Sequence, residues 1–259
     1  MKAVKVDLSR NLKYVELYTL SDLHLGDRNC DYTKILEQVK QIESSPNAYV
    51  ILNGDLINNA TTQSISDTYS ETISPMQQLK QVTALFESIK DRILAITSGN
   101  HENRTYKTDG IDLTELMARE LGVGDRYAPE SVVLFLRVGD KVGKTHKEQQ
   151  VCYTFYITHG SGGGRREGGK INRLVDLASV IDVDIYIHSH THLPAILKQK
   201  FCRADSKNST ISVVDKMFIN TNAWLNYGGY GESKGYKPAS TQTPIIYLDG
   251  KRKNFTAKL

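Results

Sequence analysis

The chain has 259 residues, 39% of them hydrophobic and 24% charged, with a formal charge of +4; this is the balance of a globular protein with a sizeable core. The mild basic excess permits an anionic substrate without demanding one. Cys30, Cys152 and Cys202, without C-x-x-C spacing, argue against a disulfide framework or a thiolate metal site, and with no signal-like or membrane-length apolar run the expected setting is cytoplasmic, away from membranes.

In chain order, residues 15–20 are rich in β-formers and predict a strand that stops at Ser21-Asp22. Residues 31–42 predict a helix, with Asp31 or Thr33 as cap and Ile35, Leu36, Val39 and Ile42 on one face. The unit recurs: 49–52 is a strand running into Asn53-Gly54-Asp55, 75–89 a helix, 93–97 a strand running into Gly99-Asn100-His101, and 111–121 a helix. Such alternation predicts parallel strands covered by helices, with ligands gathered beyond the strands' carboxyl ends.

After residue 130 the texture changes. Residues 131–138 and 151–158 read as paired strands, 171–181 as a helix, 184–187 as a strand, and 196–201 with 211–219 as a final antiparallel group. Metal-binding side chains occur in both halves, so a second sheet in one domain, residues 1–259, is expected rather than two domains. Two polar stretches stand out. Residues 58–74 read either as a lid or as a plain surface loop; residues 161–170, SGGGRREGGK, follow His159 directly.

The chemistry lies at the strand ends: Asp22 and His24, then Asp55, then Asn100 with His101, then His159, then His190 and His192. Hard oxygen and imidazole ligands delivered repeatedly in this way suit a two-metal hydrolytic site. Each piece alone is weak. Asp22-Leu23-His24 could serve local hydrogen bonding, and Ser189-His190-Thr191-His192 could be a chance surface cluster.

In combination, the order D-x-H, G-D, G-N-H-E, H, H-x-H resembles the calcineurin-like metallophosphoesterase superfamily over roughly residues 15–225. Ser189 stands where that family usually has glycine. Gly54-Asp55-Leu56-Ile57-Asn58 lacks the G-D-x-V-D-R-G form of the Ser/Thr protein phosphatases, which argues against that branch.

The resemblance implies an α/β, four-layer α/β/β/α sandwich of two mixed β-sheets flanked by helices. It also implies two divalent metal ions, Mn²⁺ foremost with Fe or Zn²⁺ as alternatives: Asp22, His24 and His192 on one, Asn100, His159 and His190 on the other, and Asp55 bridging. A water shared by the metals would be the nucleophile and His101 the general acid. The expected activity is hydrolysis of phosphoester bonds, as a phosphodiesterase or nuclease acting on nucleic acid or a nucleotide. The alternatives are a phosphomonoesterase, of small molecules or proteins, and a non-catalytic metal-binding scaffold.

Other residues are assigned more loosely. His188, in phase with His190 and His192, is expected to support them rather than ligate, and Glu102 either orients a neighbour or is a solvated turn carboxylate. Arg165 and Arg166 are expected at the substrate phosphate, helped by Lys170, with Arg104 and Lys107 as further candidates. Tyr227 and Tyr230 could stack on a base or simply pack, and Lys251 to Lys253 read as a solvated end.

Overall fold

Strands form here where β-branched and aromatic residues cluster, and helices where apolar residues recur every three to four positions. The computed structural model describes residues 1–62, 64, 68–141, 149–162 and 164–259. Residues 63 and 65–67 of the polar stretch after Asp55, residue 163 of the glycine- and arginine-rich stretch and the side chain of Tyr230 thus lie outside the described residues.

The chain opens with β1 (Lys2–Asp7) and β2 (Tyr14–Leu20), then α1 (Tyr32–Ser44), whose first turn is capped by Asp31 accepting from the Lys34 amide at 3.2 Å. β3 (Ala48–Asn53) leads to α2 (Pro75–Glu87), which starts with a reciprocal Ser74–Gln77 capping box and proline in its first turn. Next come β4 (Ile93–Thr97), α3 (Asn103–Asp109), α4 (Leu113–Glu120), the short β5 (Tyr127–Ala128), β6 (Ser131–Val138) and β7 (Val151–Thr158). The remainder is α5 (Glu167–Asp176), β8 (Ile185–His188), β9 (Ala195–Asp205), β10 (Thr210–Asn220), α6 (Gly229–Ser233), β11 (Ile245–Asp249) and β12 (Phe255–Lys258).

Two six-stranded sheets result, with strand orders β1-β6-β7-β8-β10-β9 and β12-β11-β2-β3-β4-β5. Both are mixed. β2, β3, β4 and β5 run parallel in the second, as do β7, β8 and β10 in the first, while β6/β7, β9/β10 and the pairs made by β11 are antiparallel.

The sheets pack face to face over Leu17, Ile51, Leu94, Leu134, Phe155, Ile187 and Met217, all buried. α1, α2 and α4 cover the outer face of the second sheet through Ile35, Phe86 and Met117, and α5 covers the first through Leu174 on Tyr186 and Phe218. Each large side chain so buried contributes about 1.5–3 kcal/mol of transfer free energy. The layers are therefore α/β/β/α, as the resemblance implied. Among the described residues no helix is long and apolar enough to cross a membrane.

Several elements depart from the sequence reading. α5 begins at Glu167, four residues before the expected start, so the last four residues of the glycine- and arginine-rich stretch are the first turn of a helix; Gly168 and Gly169, poor helix formers, hide it. β9 and β10 reach residues 205 and 210, beyond the apolar run, because the outer half of that hairpin is solvent-exposed and carries charge. β1, β11 and β12 were not foreseen: each is short and lies at or near a sheet edge.

Candidate metal centre

All five segments that carry the expected ligands leave the carboxyl ends of parallel strands. β2 delivers Asp22 and His24, β3 Asp55, β4 Asn100, β7 His159, and β8 His190 and His192. The two sheets thus present their turns to one another along a single edge of the sandwich.

The backbone there is unusual. Seven non-glycine residues have positive φ among the described residues, and Asp22 (50°), His24 (48°), Asp55 (50°), His190 (64°) and His192 (54°) are five of them. Left-handed backbone costs a side-chain-bearing residue roughly 1–2 kcal/mol, so the rest of the fold holds these five against their preference. Two glycines bring the turns together. A Cβ on Gly99 would lie 2.1 Å from Oδ1 of Asp55, and one on Gly54 would lie 2.6 Å from Cα of Gly99.

The side chains converge. Asp22, His24 and His192 form one triad of donor atoms, Asp55, His159 and His190 a second, and Asp55 joins His24 and His101 in a third, the atoms of each lying within 4.8 Å. Nε2 of His192 is 3.2 Å from Oδ1 of Asp22 and 3.3 Å from Nε2 of His24. Nε2 of His159 is 3.2 Å from both Oδ2 of Asp55 and Oδ1 of Asn100. Asp55 stands between the two outer triads.

These distances test the fit to cations. Ligands about 2.0–2.2 Å from an ion stand roughly 3.0–3.5 Å apart along the edges of a tetrahedron or octahedron, which is the spacing seen here. Nδ1 of His24 and Nδ1 of His190 are buried with no hydrogen-bond partner among the described residues. A donor set of carboxylate, amide and imidazole without thiolate suits hard to borderline divalent ions.

The electrostatics agree. Burial pushes the Asp22 carboxyl up, but His192 outweighs it and holds the group at about 2; Asp55, likewise buried, is held well below the carboxylate range by His159 and His101. Burial pushes His159 down, yet Asp55 draws a proton onto it up to about 10. His24 and His190 are driven down, His190 to about 4, chiefly by burial. Ionised carboxylates and the neutral His24 and His190 are the forms a metal needs, whereas His159 would have to release the proton that Asp55 holds on it before it could ligate.

Other side chains lock the turns in place. Glu102, buried, accepts from the backbone amides of Asp55 (3.0 Å), Leu56 (2.6 Å), Ile57 (3.1 Å) and Gly99 (2.9 Å), so one carboxylate clamps the turn of Asp55 to that of Asn100. It is no solvated turn residue: burial, with Asp55 adding, pushes it up to about 7. Asn53, missed by sequence reasoning, donates to Thr158 O and Ser189 Oγ, accepts from Thr97 Oγ1, and its own carbonyl sits 2.8 Å from Nδ1 of His159. Only its place before Gly54-Asp55 could have marked it.

His188 bonds Asn220, whose amide holds Thr191 and Leu193, so it supports the His190-Thr191-His192 turn. The polar stretch after Asp55 begins inside the protein: Asn58 and Asn59 are buried, and Asn59 Nδ2 reaches His101 O at 2.8 Å and Thr105 Oγ1 at 2.9 Å.

The cationic candidates divide. Arg104 reaches the centre, with its guanidinium 3.0 Å from Nε2 of His101. Lys170 donates to Thr191 O at 2.8 Å, which fastens α5 to the turn between His190 and His192. Arg165 and Arg166, just before α5, are exposed, as are Lys107 and Tyr227.

The family model described as calcineurin-like phosphoesterase matches residues 17–194, more than half of the chain. No curated protein matches. Among solved structures, the chain is similar to a predicted phosphoesterase from Streptococcus pneumoniae TIGR4 at 15% identity, covering 95% of this chain and 90% of that one with a TM-score of 0.39. It is also similar to the nuclease MPE of Pseudomonas putida (10% identity, 93% and 87% covered, TM-score 0.36). A third is a protein serine/threonine phosphatase from Saccharomyces cerevisiae (10% identity, 98% and 82% covered, TM-score 0.39).

Proposed function

We propose that this chain, which belongs to the calcineurin-like phosphoesterase family and is a metal-dependent hydrolase of phosphoester bonds, acts on phosphodiesters, nucleic acid among them. Asp22, His24 and His192 would hold one cation and Asn100, His159 and His190 the other, with Asp55 between them. Two divalent ions held there would activate a water and neutralise charge on the phosphoryl group.

The chain's own residues do the rest. Hydrolysis forms a P–O bond to water and breaks the bond to the leaving oxygen, which needs a proton; Nε2 of His101 is the atom placed to take the proton that the attacking water gives up and to pass it to that oxygen. Nδ1 of His101, 2.7 Å from the Asn58 carbonyl, fixes the ring so that Nε2 faces the centre, 3.9 Å from Oδ2 of Asp55. Glu102 holds Asp55 and the Gly99 turn in register, so that ligand and acid move as one piece. With ligands drawn from both sheets, residues 1–259 work as one domain.

The observation that carries the diester reading is the Lys170–Thr191 contact. It fastens α5, which exposed Arg165 and Arg166 precede, to the turn that carries His192, whose side chain is 32% exposed. A positively charged wall running outward from the centre suits a substrate whose chain continues past the scissile phosphate. The test compares single-stranded DNA, duplex DNA, RNA, an aryl phosphodiester and an aryl phosphomonoester under identical Mn²⁺ conditions. Salt-sensitive cleavage of nucleic acid that weakens in Arg165→Ala/Arg166→Ala is expected. Preference for the monoester with no salt dependence would replace this reading by that of a phosphomonoesterase.

A further inference from the structure

We infer that Arg104 is the phosphate-binding cation of this centre and that, without substrate, it is parked on Nε2 of His101, which it releases when a phosphoryl oxygen takes the guanidinium. The inference rests on the reading of the centre as a phosphoester hydrolase site.

Arg104 lies three residues past His101, in the first turn of α3, and its amide donates to the His101 carbonyl at 3.3 Å. One guanidinium nitrogen, Nη2, lies 3.0 Å from Nε2 of His101, and the other, Nη1, donates to the Asn58 carbonyl at 3.0 Å and the Asn59 carbonyl at 3.3 Å. Nδ1 of the same imidazole faces the Asn58 carbonyl at 2.7 Å. A carbonyl only accepts and a guanidinium only donates, so Nδ1 carries the hydrogen and Nε2 accepts from Arg104. The atom that must face the leaving oxygen is therefore covered by an arginine, and it can take up the proton it passes on only once the guanidinium has left.

A guanidinium bonds an anionic phosphoryl oxygen more strongly than a neutral imidazole nitrogen, and does so in a planar, two-pronged geometry. Nη1 can keep its carbonyls while Nη2 swings to the phosphate, so the exchange needs rotation at the end of one side chain and no backbone movement. Arg104 is only part-exposed and held at the edge of the ligand cluster. Arg165 and Arg166 are exposed, and Lys170 is committed to Thr191. Among these four cations, Arg104 is the one the structure aims at the reacting group. Binding a phosphate and freeing Nε2 to take up the proton that it passes to the leaving oxygen then become a single event.

The opposing view makes Arg104 a brace for residues 58–59, and the experiment separates the two. Full-length protein loaded with Mn²⁺ is titrated calorimetrically with inorganic phosphate, and steady-state kinetics are measured on aryl phosphodiesters whose phenols differ in acidity. Arg104→Ala should weaken phosphate binding and raise KM by about tenfold or more, the loss of one charge-assisted contact. Guanidinium chloride at millimolar concentration should restore part of both, and Arg104→Lys, a point charge without the fork, should recover less than half of the loss.

Unchanged phosphate affinity in Arg104→Ala with a lowered melting temperature, or no rescue by guanidinium, overturns the inference in favour of the brace. Should Arg104→Ala fail to fold, Arg104→Gln, which can still donate to the carbonyls, carries the same measurement and the same two outcomes. Asp55→Ala runs in parallel. If it keeps full activity the hydrolase reading itself fails, whereas if it is inactive and Arg104→Ala binds phosphate normally, only the role of Arg104 is lost.

Discussion

Nε2 of His24 lies 3.3 Å from Nε2 of His192, two ring nitrogens brought face to face across 168 residues of chain. A cation between them would tie the end of β2 to the turn after β8, and so one sheet to the other. Removing divalent ions with a chelator should lower the melting temperature, and adding Mn²⁺ at a hundred times its dissociation constant should restore about 2.7 kcal/mol. Elemental analysis should find two ions per chain. A melting temperature indifferent to chelator would count against a metal centre altogether.

Glu102→Ala leaves four backbone amides around Asp55 and Gly99 without their acceptor. The expected loss is about 3 kcal/mol or more in urea unfolding, since each stranded buried donor costs roughly 1–3 kcal/mol before water enters the gap. Metal affinity should fall with it, because Asp55 loses its register. A variant as stable as the parent would show that the clamp is redundant.

The order of candidate ligand types along the chain is legible because each follows an apolar run, and the strand–turn–helix repeat says which end of the sheet they share. Glu102 and Asn53 were not, since their work is done on backbone amides and carbonyls contributed by other segments, and only the folded chain shows which. The early start of α5 was hidden by Gly168 and Gly169, which read as loop although the helix that Lys170 ties to Thr191 runs through them. Arg104 was named only as one cation among several; its place on His101 is a matter of three-dimensional reach.

His192 sits at φ 54°, where alanine is strained and glycine is not. In metal-free protein, His192→Gly should therefore be more stable than His192→Ala by about 1 kcal/mol, the reverse of the usual order. Equilibrium denaturation in a chelating buffer measures the difference. Alanine matching or exceeding glycine would mean that the turn relaxes to ordinary backbone once its ligand is gone.

Away from the centre, Lys216 is buried with its ammonium 2.9 Å from Tyr186 Oη and 5.0 Å from the ring centre of Phe201, and it pairs with Asp182, as does Arg203. The bond from Lys216 holds the Asp182 carboxyl below its ordinary value, against a smaller opposing effect of burial. A depressed carboxylate stabilises the fold above its unfolded pKa of about 3.9 and ceases to do so as pH falls through the folded value. Asp182→Asn should thus be less stable than the parent at pH 6–7, the gap narrowing below about pH 4. Urea midpoints across pH test this, and a gap of constant size would rule it out.

The left-handed turns also bear on how such a centre can change over generations. Asp, Asn and His are the side chains that enter that backbone region most readily after glycine, and they are also the oxygen and nitrogen donors a hydrolytic metal accepts. Exchange among the three at positions 22, 24, 55, 190 and 192 alters donor hardness while leaving each turn its shape. Cysteine, equally capable of holding a metal, meets a steric penalty there in addition to a chemical one. Metal preference in this scaffold can therefore drift by single substitutions within a narrow alphabet, one set by the handedness of the backbone as much as by coordination chemistry.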